Sequence, residues 1–133
     1  MVTIRYFSVI ILSLFFLAGC AGMANRETPE AFATRFYTNI AENNTEELVN
    51  MFDMSGLSKD DMPLVKNKLA FVLTQLSREF ESKGGLERIE ISNLDMPEDR
   101  QTADLDIIVY FHDGSTRDDH MHLVKTASGW KIY

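Results

Sequence analysis

The chain has 133 residues, 45% of them hydrophobic, with 13 basic against 20 acidic side chains and a formal net charge of −7. That length suits one ordinary domain with one core, and the acidic balance argues against nucleic acid and against electrostatic adhesion to anionic lipid. The single cysteine, Cys20, excludes an internal disulfide, so the core has to stand without one.

In chain order, Arg5 precedes an apolar run from Tyr6 to Leu17 interrupted only by Ser8 and Ser13. This is the layout of a secretory signal peptide. A bilayer-spanning helix needs roughly 20 apolar residues, and the run is shorter. The small residues Ala18 and Gly19 then lead into Cys20. Leu17-Ala18-Gly19-Cys20 resembles the lipobox of bacterial lipoproteins. The resemblance implies cleavage after residue 19, a diacylglycerol on the Cys20 thiol and an acylated new amino terminus. Several acyl chains, at about 0.8 kcal/mol per buried methylene, hold a protein stably where one would not.

Removal of residues 1–19 takes away Arg5 and no acid, leaving 12 basic and 20 acidic side chains, a net charge of about −8. The acyl chains, and not surface charge, are then the expected membrane attachment. Ala21, in place of Asp, follows the cysteine. By resemblance to enterobacterial sorting this implies the outer membrane, facing the periplasm. Residues 20–27 read as the lipidated cysteine and a small, polar tether, whose seven residues after Cys20 reach roughly 25 Å at most.

From Thr28 onward a single domain is expected. Thr28-Pro29-Glu30 is a helix start, with a hydroxyl cap, a proline in the first turn and an acid at the positive end of the dipole. Phe32, Phe36 and Ile40, with Ala33 and Tyr37 beside them, give one apolar face, and Asn43-Asn44 ends the helix. Asn43-Asn44-Thr45 also matches a glycosylation sequon, which a bacterial lipoprotein does not call upon. Thr45 reads as the cap of a short second helix that buries Leu48, Val49, Met51 and Phe52, with Gly56 breaking it. A long third helix starts between Ser58 and Asp61. Its apolar stripe is Val65, Leu69, Val72, Leu73, Leu76 and Phe80, and Gly84-Gly85 stops it. At that spacing the stripe is core.

After Gly85 the period becomes two. Leu86 to Met96 carries Ile89 and Ile91 on one parity, and Thr102 to Phe111 alternates Leu105, Ile107, Val109 and Phe111 with Asp104 and Asp106. Helices followed by an antiparallel meander read as α+β, three helices on one face of a curved four-stranded sheet. A three-residue loop at Asp113-Gly114-Ser115 pairs His112 with Thr116, Ile107 with Met121 and Leu105 with Leu123. A two-residue turn at Ser128-Gly129 sets Trp130 against Ala127 and Ile132 against Lys125, both inward, with Tyr133 beside Val124.

This register gives the outer face of the sheet Asp106, Ile108, Tyr110, His120, His122, Val124 and Tyr133, with Asp118 nearby and Asp106 opposite His122. Aromatic and apolar residues mixed with charge point to an interaction face, taken by a second copy or by another envelope protein. His120 and His122 lie about 7 Å apart on one strand face. A zinc site wants three or four such ligands, so paired histidine and aspartate is the expectation and no metal is assigned. Inward, the only polar residue of the closing hairpin is Asp119, which makes it the one catalytic candidate.

The pattern from Thr28 to Tyr133 resembles the cystatin-like, nuclear transport factor 2-like group, and in particular its small bacterial lipoproteins of unknown function. The resemblance rests on Thr28-Pro29-Glu30-Ala31 with Phe36-Tyr37, the long helix ending at Gly84-Gly85, and Gly129-Trp130-Lys131-Ile132. It implies a cone of helices wrapped by a curved sheet. The group holds enzymes, ligand binders and dimeric adaptors, so fold does not choose function. No catalytic residue of the group carries over to this chain and no cofactor is implied. The expectation is a membrane-tethered, non-catalytic binding or interaction module. The alternative is a carrier of small apolar ligands, or an enzyme, using the cone interior.

Overall fold

The computed structural model describes residues 27–133; the expected signal peptide, Cys20 and all but the last residue of the expected tether lie outside the described residues. Three helices come first: α1 (Pro29–Ala41), α2 (Thr45–Asn50) and α3 (Met62–Ser82). Four strands follow, β1 (Leu86–Asp95), β2 (Thr102–Phe111), β3 (Thr116–Thr126) and β4 (Gly129–Ile132), in one antiparallel sheet of order β1-β2-β3-β4. No helix among the described residues is long and apolar enough to cross a membrane.

The first helix forms as its sequence directs. Thr28 accepts a hydrogen bond from the Ala31 amide, and Pro29 occupies the first turn, where the missing N–H costs nothing. Phe32, Ala33, Phe36, Tyr37 and Ile40 are buried. The second helix corrects an expectation. Its cap residue is Asn44, not Thr45, and no side chain closes the cap. The Thr45 hydroxyl instead faces that of Thr74 on α3 at 3.5 Å. Leu48, Val49 and Met51 are buried as expected, and Phe52 is half-buried. The chain beyond α2 then runs parallel to the last strand, Phe52 bridging Ile132. The Ile132 amide donates to Met51 O at 2.8 Å and the Asp53 amide donates to Ile132 O at 2.7 Å. These bonds cover the β4 edge, which would otherwise offer unpaired backbone to another chain.

In α3 the predicted stripe is only partly inward. Leu73 and Phe80 are buried, Val65, Leu69 and Leu76 are half-buried, and Val72 is 59% exposed. Two short helices cover one side of a 21-residue helix, and Val72 lies beyond the edge of that cover. Leu64 and Phe71, 57% and 67% exposed, sit on the outward side as well. Ser77 takes an unexpected core position, its hydroxyl donating to Ile40 O at 2.7 Å, a second bond to a carbonyl in the last turn of α1 that also accepts from the Asn43 amide at 3.1 Å. The helix ends in a Schellman motif: Gly85 N–H donates to Phe80 O at 2.9 Å and Gly84 N–H to Glu81 O at 3.0 Å. Gly84 has φ +83°, and a Cβ there would lie 3.3 Å from the Cβ of His112.

Both hairpins keep the predicted faces and move by two residues in register. Leu105 pairs with Met121 and Ile107 with Asp119, not Ile107 with Met121 and Leu105 with Leu123. The loop is His112-Asp113-Gly114, with Phe111 N–H donating to Ser115 O at 3.0 Å. Asp113 drives the choice, because its carboxylate accepts the Ser115 amide at 2.8 Å in an Asx turn, and Gly114 takes φ +88°. In the second hairpin Thr126 pairs with Gly129 and Lys125 with Trp130, so the turn is Ala127-Ser128 and not Ser128-Gly129. The Thr126 hydroxyl donates to Gly129 O at 2.8 Å and accepts from the Ser128 amide at 3.3 Å.

The first strand needs two irregularities, between Leu86 and Arg88 and between Ile91 and Asn93. Each extra residue reverses the alternation. Leu86, Ile89, Ile91 and Leu94 therefore all turn toward the core, where they pack partly buried against it.

Candidate functional site

Three groups of polar side chains stand on the frame of β3, and each meets a different environment. The first is the outer sheet face. Ile108, Tyr110, His122 and Val124 are half-buried there, and Asp106, His120 and Tyr133 are exposed. Asp106 lies opposite His120, not His122, and Asp104 takes the position opposite His122. The His120 Nδ1 is 2.9 Å from Asp106 Oδ1 and its Nε2 is 3.4 Å from Asp104 Oδ1. His122 bonds Asp104 through Nδ1 and the Tyr133 hydroxyl through Nε2. The Tyr133 ring lies over His122 with centroids 4.1 Å apart, not over Val124. The hydrogen bond to Asp106 raises the His120 pKa, and the bond from His122 lowers that of Asp104. The ladder is thus internally paired. Among the described residues no group of three or more histidine, cysteine or acidic side chains is arranged to hold a metal ion.

Tyr110 is less open than its place in the strand predicts. The Arg88 guanidinium sits 3.7 Å above its ring, and its hydroxyl donates to Glu90 at 2.8 Å. Long charged side chains of the edge strand cover it.

The second group surrounds Asp119, which faces inward near the first end of β3. Its Oδ2 accepts from the Tyr37 hydroxyl at 2.8 Å and its Oδ1 from Arg117 Nε at 2.7 Å. Arg117 also reaches Glu79 at 3.3 Å, and Glu79 pairs with Lys83 at 3.4 Å. Burial pushes the Tyr37 phenol well above its ordinary value, and the neighbouring Asp119 charge adds to this. Tyr37 stacks on Phe80, rings 6.3 Å apart and nearly parallel. Asp119 therefore fastens α1 to the sheet. Both oxygens accept from the protein, so the carboxylate's orientation is set by Tyr37 and Arg117.

The third group lines a cleft of about 510 Å³ at the other end of β3, inside the 300–1,000 Å³ range of small-molecule sites. Its floor is Phe32, Met51, Met96 and Trp130, and its rim carries Arg35, Arg100, Lys125 and Lys131 with Glu27 and Glu47. Arg35 holds Glu27 through two bonds of 2.9 Å and Glu47 through one of 3.0 Å, and the bond from Glu27 chiefly raises the Arg35 pKa. Lys131 donates to Asn50 O. Lys125 Nζ hangs 5.9 Å from the Trp130 ring centroid. Sequence reasoning missed this cleft, since its residues come from both ends of the domain and share no local motif.

Comparison with solved structures identifies the architecture. The chain superposes on the crystal structure of a Campylobacter jejuni protein described as an NTF2-like transpeptidase, with a TM-score of 0.72 and 20% identity over 80% of this chain and 97% of the other. The fold is therefore that of the nuclear transport factor 2-like group, three helices against a four-stranded antiparallel sheet. No family model matches the chain. No curated protein matches it significantly.

Proposed function

We propose that this chain is a lipid-anchored module of the bacterial cell envelope that binds a partner or ligand and performs no chemistry of its own. The observation that carries the non-catalytic half is the state of Asp119, with both oxygens held by Tyr37 and Arg117. The rest of the cone is filled: Phe32, Phe36 and Trp130 are buried in one core with Leu105, Ile107 and Leu123. Among the described residues every buried side-chain nitrogen and oxygen has a hydrogen-bond partner.

The structural neighbour is described as a transpeptidase, and that activity calls for an activated nucleophile. The hydroxyl of Ser77 is spent on Ile40 O, that of Ser58 on Asp61 and that of Ser92 on Asp106 O. The Ser58–Asp61 pair, like Ser115–Asp113, closes an exposed turn of its own segment, each amide bonding back to the partner side chain. The anchoring half of the reading rests on Leu17-Ala18-Gly19-Cys20, and the outer-membrane address on Ala21.

The outer sheet face supplies a contact surface through Asp106, His120 and Tyr133, and the outward side of α3 supplies a second through Leu64, Phe71 and Val72. Labelled palmitate and cell fractionation test the anchor. The native chain is expected to take up label and sediment with membranes, and Cys20→Ser to do neither. A Cys20→Ser chain that still sediments with membranes after cleavage overturns it.

A further inference from the structure

The cleft at the far end of β3 differs from the rest of this acidic molecule in the sign of its charge. Four cations and two acids line it, against a net charge of −7 for the chain. Both acids are already committed to Arg35. That leaves Arg100, Lys125 and Lys131, of which Lys131 has a backbone carbonyl for a partner. Among the described residues neither Arg100 nor Lys125 has a carboxylate within 4.0 Å.

Arg100 carries a further mark. It holds φ +53°, a left-handed conformation that costs a non-glycine residue about 1–2 kcal/mol. The turn is closed by its own amide on Pro97 O at 2.9 Å, and the guanidinium is thereby placed on the rim. Strained backbone of this kind collects at sites that hold ligands. Beneath the cations the floor is apolar and adaptable. Trp130, 8% exposed, offers some ring surface and the half-buried Met96 an unbranched side chain that repacks around irregular shapes, with Phe32 and Met51 buried beneath them. A bare anion would leave that floor unused, and a neutral apolar molecule would leave the cations without partners.

We propose that this cleft binds an anionic amphiphile, a carboxylate or phosphate head held by Lys125 and Arg100 with its apolar tail laid over Trp130 and Met96. The inference deepens the binding-module reading by naming the ligand's chemistry, and it stands whether or not Cys20 is acylated. The head and tail could be offered by a soluble fatty acid or by an anionic lipid of the bilayer.

Trp130 is the only tryptophan in the chain, so its emission reports this cleft alone. The mature chain with Cys20→Ser is titrated with decanoate, with decanol as the uncharged counterpart and acetate as the tail-less one. Decanoate is expected to shift or quench Trp130 emission saturably, with decanol and acetate at least tenfold weaker. Lys125→Glu and Arg100→Glu are each expected to weaken decanoate by about tenfold or more, the scale of a lost hydrogen bond to a charged group. Both replaced side chains are exposed, and circular dichroism checks that the fold is kept. Phosphatidylglycerol vesicles that displace decanoate identify the bilayer as the source, and vesicles that do not identify a soluble amphiphile; either result sustains the proposal. Decanol binding as tightly as decanoate, no saturable change with decanoate, or full affinity in both charge-reversed variants overturns it. The palmitate label on the native chain is untouched by these outcomes, so failure here is distinct from failure of the anchor.

Discussion

Asp119 and Lys125 stand six residues apart on one strand with the same parity, and they have opposite fates. At the Asp119 end, α1 and α3 close over the sheet, so the carboxylate meets Tyr37, Arg117 and, through Arg117, Glu79. At the Lys125 end, the cross-strand neighbour is Trp130 and the space beyond is a cleft. Buried charge survives only when it is paired and hydrogen-bonded, so the closed end fastens structure. The open end keeps cations in reserve. The difference teaches that in this cone a polar inward residue is read by what covers it, and parity alone does not tell a fastening from a site.

The sharpest way to break the comparison is to damage what both ends share. Phe32 is fully buried and also floors the cleft. Phe32→Ala is expected to cost about 3–5 kcal/mol in chemical denaturation and to abolish the Trp130 response. A smaller effect is expected at the closed end. Asp119→Ala strands the buried Tyr37 hydroxyl and one bond of Arg117, for about 1–3 kcal/mol of stability, read as a lowered denaturant midpoint. Gly84→Ala, with φ +83° and His112 close by, is expected to lose about 1–2 kcal/mol without touching the cleft. Lys125→Glu, exposed and without a carboxylate partner, is expected to leave stability within about 0.5 kcal/mol.

The outer face sharpens the contrast through pH. Asp106 raises the His120 pKa above the ordinary 6.5. The pairing therefore contributes below that value and is lost as pH rises through the higher folded pKa. Asp104 runs the other way: its pKa is lowered from the ordinary 3.8, so its contribution is present above that value and lost as pH falls through the folded one. Proton NMR is expected to place the His120 midpoint above 6.5 and to return it toward 6.5 in Asp106→Asn.

Much of this was legible in the residues. Thr28 and Pro29 start α1, Gly84 and Gly85 end α3, and period-two alternation puts Leu105, Ile107, Val109 and Phe111 inward. Register was not legible to the residue, because a shift of two leaves every face unchanged. Asp113 and Thr126 settled it by bonding their own turns. Val72 misled because helical spacing shows an apolar side without showing how far α1 and α2 extend over it. The two bulges of β1 escaped because strict alternation loses Leu94, which only an extra residue turns inward. The cleft was invisible for a different reason: Glu27, Arg100 and Lys125 meet only through the folded sheet.

The account is tested most directly by decanoate titration of Trp130 emission in two variants side by side, Asp119→Asn and Lys125→Glu. It predicts that Asp119→Asn lowers the unfolding midpoint and keeps decanoate affinity, while Lys125→Glu keeps the midpoint and weakens affinity about tenfold. The reverse assignment, with affinity lost at Asp119 and kept at Lys125, would contradict it.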